Sequence, residues 1–264
     1  MSALVSLFYL YDPWFLHFIR MGLITGSIAL LFLAYKWWNK SQKRVVIPQD
    51  SLIACIALLI ISVIPLIING TKEIGVLSMY AKSLFVFILG MMIYNLFYQH
   101  ENGKPQLIRD LKIGIGVQAF IGFFALVGVP FMIDFAINTN SNMGGHFARF
   151  IGSEQEYRLY NLTSAAFFPL SVFYVLLLHF MLAYHAKTQA LNPIWLFLLL
   201  CIGLIAGRLF LTFSLVSCLL YFRWRYLPAL LAFVALVLYL AYFHAENRYV
   251  EHALEPVINL INGG

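Results

Sequence analysis

Three arginines, Arg149, Arg158 and Arg208, carry the strongest chemical signal in this 264-residue chain. A guanidinium presents a planar fork of N–H donors that matches phosphate oxygens, so three of them on one rim of a membrane suit a lipid-linked diphosphate held at headgroup level. Close to the first two in sequence, His146, Glu154 and Glu156 could take a proton from a sugar hydroxyl. Each residue also has a plainer reading. Arginines near helix ends snorkel to the interface, and an exposed loop holds carboxylates and histidines without any catalytic role. Arg208 is the hardest to set aside, because it follows Gly207 near the middle of an apolar run, where an ionisable side chain is a functional candidate by default. Lys82, eight residues into another apolar helix, needs a partner, water or the headgroups, and its four-carbon stem can snorkel.

Most of these groups share one interval, Asp134 to Asn161, the longest polar stretch between segments that read as lipid-soluble helices. A connection that long is functional or disordered. Its charges alternate with Phe147, Phe150, Tyr157 and Tyr160, so it reads as a substrate loop, with Gly144-Gly145 allowing a tight turn beside His146.

With 62% hydrophobic and only 11% charged residues, the chain lies far from a soluble domain, which carries about 25% charge. It reads as an all-α integral membrane protein, a single polytopic domain over 1–264. The net charge of +6 falls mostly at helix ends, as the positive-inside rule requires, so nucleic acid is not expected as a partner. Cys55, Cys201 and Cys218 lie in apolar segments and read as packing. No metal motif, nucleotide loop or serine-nucleophile elbow is present, so neither a metal nor a cofactor is expected. Asp12-Pro13 breaks the first apolar run, which no basic residue precedes, so no cleavable leader is expected.

About eight transmembrane helices are expected after an aromatic interfacial segment over residues 1 to 18. The spans run Ile19–Tyr35, Ser51–Ile68, Ile74–Tyr98, Ile113–Ile133, Thr163–Tyr184, two within Pro193–Phe222, and Leu227–Phe243. The Pro193–Phe222 run is the awkward one: about 30 helical residues reach roughly 45 Å, against a hydrocarbon core of about 30 Å. Two short helices turning at Gly207-Arg208 place Lys187 and the Arg223/Arg225 cluster on the same cytoplasmic side and Arg208 on the outer side. The 134–161 loop and the C-terminal tail then lie outside as well.

The order of several motifs resembles the O-antigen (oligosaccharide repeat unit) polymerases, which share features with O-antigen ligases. They are Val117-Gln118-Ala119-Phe120-Ile121-Gly122 leading to Val129-Pro130-Phe131, the outer loop with Arg149 and Arg158, Gly207-Arg208 before Thr212-Phe213-Ser214, and Leu254-Glu255-Pro256-Val257-Ile258-Asn259. Relative to that family the chain is expected to be a short or C-terminally truncated member. The resemblance implies a bacterial inner-membrane enzyme of lipopolysaccharide or other surface-polysaccharide synthesis. It would transfer a glycan from an undecaprenyl-diphosphate carrier to a second carrier-linked unit on the periplasmic face, without a metal. Arg149, Arg158 and Arg208 would bind the carrier diphosphate, and Glu154 and His146 would be the candidate bases. The implied partners are the undecaprenyl-diphosphate-linked oligosaccharide, membrane lipid, and a chain-length regulator or flippase. Two other classes fit the same residues: a transporter or flippase-like protein for a lipid-linked or anionic substrate, and a structural membrane subunit.

Overall fold

The computed structural model describes residues 1–16, 18–39, 45–70, 74–140, 150, 152–153, 156–165 and 167–263, with the side chains of all of these except 248, 249 and 252. Among them the regular structure is helical, apart from a two-residue antiparallel ladder pairing Trp14 with Arg20 and Phe15 with Ile19. The helices are α1 (Ser2–Tyr11), α2 (Met21–Trp38), α3 (Gln49–Asn69), α4 (Gly75–Phe97), α5 (Gly103–Leu126), α6 (Pro130–Asn138), α7 (Phe167–Ala186), α8 (Pro193–Ala206), α9 (Arg208–Leu220), α10 (Leu227–Phe243) and α11 (Arg248–Ile261).

Among the described residues, five stretches are long and apolar enough to cross a membrane: Met21–Trp38, Gln49–Asn69, Gly75–Phe97, Phe167–Ala186 and Trp224–Phe243. The chain is therefore a multi-pass helical membrane protein by length and composition. Three expected spans are not among these five. Two are α8 and α9, of 14 and 13 residues, about 20 Å each at 1.5 Å per residue. The third is Ile113–Ile133, which the structure divides. Helix α5 carries Lys104, Arg109, Asp110 and Lys112 in its first turns and stops at Leu126. There the N–H of Val129 reaches the carbonyl of Phe124 and that of Gly128 reaches Ala125, both at 3.0 Å, with Gly128 at φ +89°. This is a glycine-terminated helix end, followed at once by Pro130 opening α6.

The chain divides into two compact units. In the first, Met1–Leu10 with Met21–Asp110, α4 packs against α2 and α3. Gly26 lets α2 approach closely enough that an added Cβ would fall 2.7 Å from that of Leu89, the small-residue contact common between membrane helices. A buried polar chain closes this unit: Tyr98 Oη donates to Asp110 at 2.8 Å and lies 2.5 Å from Ser6 Oγ.

In the second unit, Tyr11–Arg20 with Leu111–Gly264, α7 packs against both α8 and α9. Direction follows from hydrogen bonds along α7. Ser171, near its start, donates to the carbonyl of Ala206 at 3.0 Å. At its far end, Arg223 donates to the carbonyls of Ala186 and Thr188, and the Leu191 N–H donates to Tyr226 Oη. Helix α8 thus runs antiparallel to α7, the chain turns at Gly207, and α9 runs back parallel to α7.

Asn192 and Pro193 start the hairpin, the Asn192 side chain accepting from the Ile194 N–H at 3.0 Å with proline at the first helical position. Its two arms close on the Phe210 ring, which fills the space a side chain at Gly203 would need.

Candidate functional site

Of the five site residues expected from sequence, Arg158 and Arg208 are described, while His146, Arg149 and Glu154 lie outside the described residues. Arg158 sits on a single 3-10 turn, Glu156–Leu159. The chain just beyond that turn is held from three sides rather than standing as an exposed loop. From α5, fully buried Gln118 donates to the Leu162 carbonyl at 2.7 Å and accepts from its N–H at 2.9 Å. From α7, Tyr174 donates to Asn161 Oδ1 at 3.0 Å. The Tyr11 carbonyl accepts from the Ser164 N–H at 3.1 Å. Within the segment, the Glu156 carboxylate accepts from Tyr160 Oη at 3.1 Å and from the Gly152 N–H. Tyr157, Leu159, Tyr160, Asn161 and Leu162 are all buried.

The Arg158 guanidinium emerges from this packed turn against two rings, its Cζ 5.8 Å from the centroids of both Tyr157 and Phe167. Such contacts favour a cation there. It also abuts the hairpin tip, since a Cβ built on Gly207 would lie 3.6 Å from Arg158 Cζ and 3.3 Å from Ser171 Oγ. Gly207 has φ 138° and ψ 175°, backbone essentially restricted to glycine. One residue thereby turns the hairpin and sits close to both the Ser171 hydroxyl and the arginine.

Arg208 follows as the first residue of α9. Its Nη2 lies 2.5 Å from Glu255 Oε2 on α11. The same arginine closes one end of a cleft of about 570 Å³ between α9 and α10, with α8 and α11 also contributing to its walls. Leu211, Leu215 and Leu219 of α9 face Phe233, Val237 and Leu238 of α10 there. Helices α9 and α10 both pack on α8 without packing closely on each other, which leaves the cleft open between them. A smaller cavity of about 250 Å³ joins Tyr157 of the arginine turn to Ile205, Leu240, His244 and α11.

Gln118, Asn161 and Glu255 take roles here that no motif in the sequence marks, and His179 is a further residue of this kind. His179 bridges α7 to α9, with Nδ1 3.3 Å from Ser217 Oγ and Nε2 3.2 Å from Tyr221 Oη. A histidine and a glutamine inside apolar runs were the available signal, because a polar side chain at membrane depth must find a partner.

Lys82 is exposed on α4. Among the described residues, no group of three His, Cys, Asp or Glu side chains is placed to hold a metal ion. Comparison of the chain with protein-family models, with curated proteins and with solved structures gives no match.

Proposed function

We propose that the chain polymerises lipid-linked oligosaccharide units on the periplasmic face of a bacterial inner membrane. It would pass a glycan from an undecaprenyl-diphosphate carrier to the sugar of another carrier-linked unit in O-antigen or surface-polysaccharide synthesis. The observation that carries this reading is the meeting of Arg158 with Gly207, one residue before Arg208 and its apolar cleft. Cations fixed at a hairpin tip would offset charge that develops on the leaving diphosphate as the glycosidic bond breaks. Arg149 joins them in this reading, Glu154 or His146 takes the acceptor proton, and no metal or other cofactor takes part. In the membrane, α5 with α6 and the two hairpin arms supply the crossings that bring the count to eight, with Arg208 outward.

The test is the ladder of glycan lengths made by cells lacking their own polymerase and supplied with this chain, Arg208→Ala or Arg208→Lys. A ladder from the unmodified chain that both variants lose at equal membrane abundance is the expected result. A full ladder from Arg208→Lys would reduce Arg208 to a boundary charge.

One observation favours a transporter or flippase-like protein instead, namely the α8–α9 hairpin interrupted at Gly207, since broken helices line transport sites in many carriers. Movement of a fluorescent anionic lipid across vesicles holding the purified protein, with no ladder in cells, would select that reading.

A further inference from the structure

The C-terminal helix α11 is amphipathic and bent where it meets Arg208. Ala253, Leu254 and Ile258 are buried, whereas the Glu255 side chain is half exposed. Leu254 leaves helical geometry at φ −113° and ψ 15°, and Pro256 follows two residues later. A proline there removes an intrahelical hydrogen bond and makes the bend a natural hinge. Pro256 and Val257 line the Arg208 end of the α9–α10 cleft, as does Ala253. The cleft is apolar along its length and has its arginine at that end, a pattern complementary to one long hydrocarbon chain bearing an anionic head.

The geometry points to α11 as a latch on this cleft, with Glu255 holding the place on Arg208 that a lipid phosphate takes. A phosphate-bearing membrane lipid lays its chain along Leu211, Leu215 and Phe233, its phosphate replaces the Glu255 carboxylate on the guanidinium, and α11 swings away at the Leu254–Pro256 hinge. The exchange is inexpensive, because an ion pair this exposed is weak, whereas a phosphate can engage the guanidinium fork bidentately. This rests on the reading of Arg208 as a phosphate ligand and adds how access to that ligand is controlled.

The experiment uses the full chain in neutral detergent with hexadecyl phosphate as probe, hexadecanol as the chain without charge, and inorganic phosphate as the charge without chain. Binding is read by native mass spectrometry, and the opening of 248–261 by hydrogen exchange. Hexadecyl phosphate should bind and speed exchange in α11, while hexadecanol and inorganic phosphate do neither. Glu255→Gln should exchange fast in α11 before any lipid is added and bind the probe about two- to fivefold more tightly, the range expected when a weak competing ion pair is removed. Leu215→Trp, which fills the cleft, should lose binding but keep slow exchange in α11. Weaker binding by Glu255→Gln, or α11 exchange that slows or does not change with the probe, overturns the latch. None of these readouts depends on glycan transfer, so an absent ladder with the expected lipid response would reject the polymerase and leave the latch standing.

Discussion

The side-chain amide of Gln118 makes paired hydrogen bonds with the backbone of Leu162, its Nε2 donating at 2.7 Å and its Oε1 accepting at 2.9 Å. This ties α5 to the chain 44 residues on, just beyond the turn that carries Arg158. Gln118→Leu keeps the volume but leaves a buried N–H and a buried carbonyl unanswered, each costing about 1–3 kcal/mol. The variant should therefore melt several degrees lower in detergent than the unmodified chain. Gln118→Glu retains the acceptor but loses the donor to the Leu162 carbonyl and at neutral pH must bury a charge or stay protonated, so it should also melt below the unmodified chain. Equal melting of all three would show that the tie contributes no stability.

Gly207 and Gly128 separate backbone strain from function. Both have positive φ, but a Cβ at Gly128 meets nothing within 4 Å, whereas one at Gly207 meets Ser171 and Arg158. Alanine at either should cost about 1–3 kcal/mol for the backbone conformation. Only Gly207→Ala should shorten the glycan ladder, because only there does the added methyl crowd a neighbour, the Ser171 hydroxyl that ties the hairpin tip to α7 beside Arg158. If Gly128→Ala shortens the ladder as much at equal abundance, general destabilisation explains both.

The helical membrane character, the start of α8 at Pro193 and the break at Gly207 were legible because they depend on local quantities: apolar run length and a glycine beside a charge. The end of α5 is equally local, yet Gly128-Val129-Pro130 lies inside the expected span Ile113–Ile133, because the apolar run continues through it and run length alone does not show the break. The rest was not local. Nothing in the tail marks Glu255 as the partner of Arg208 47 residues earlier, and nothing near Asp110 tells that this expected loop charge is buried against Tyr98. Long-range pairing depends on how the helices stack, which periodicity along one helix does not encode.

The direction of the hairpin makes a topological prediction. With Ser171 bonded to Ala206 at one end of α7 and Arg223 bonded to Ala186 at the other, Lys187 and Arg225 belong to one membrane face and Arg208 to the opposite one. Reporter fusions at Lys40, Lys104, Lys187 and Arg225 should read as cytoplasmic, and fusions at Gly145, Arg208 and the C-terminus as external. A cytoplasmic signal at Arg208 would mean that α8 and α9 do not reach across from the inner side, and would remove the arginine from the proposed site.

Arg158 offers the strictest test of the phosphate reading. Its guanidinium lies 5.8 Å from each of two ring centroids, and its Nε donates to Tyr157 Oη at 3.3 Å, so the side chain has partners before any ligand arrives. Lysine at this position keeps the charge and can still sit near an aromatic face, but it loses the planar pair of donors. If Arg158 only balances charge near the hairpin tip, Arg158→Lys should support a normal ladder. If it steadies a leaving diphosphate, removing one preorganised stabiliser should slow transfer by about a hundred- to a thousand-fold, leaving single units on the carrier while the protein remains in the membrane at normal level. The measurement is ladder length beside membrane abundance for Arg158→Lys, Arg158→Ala and the unmodified chain. Equal loss in both variants supports the fork; a normal ladder from lysine alone confines Arg158 to a cation that packs between rings.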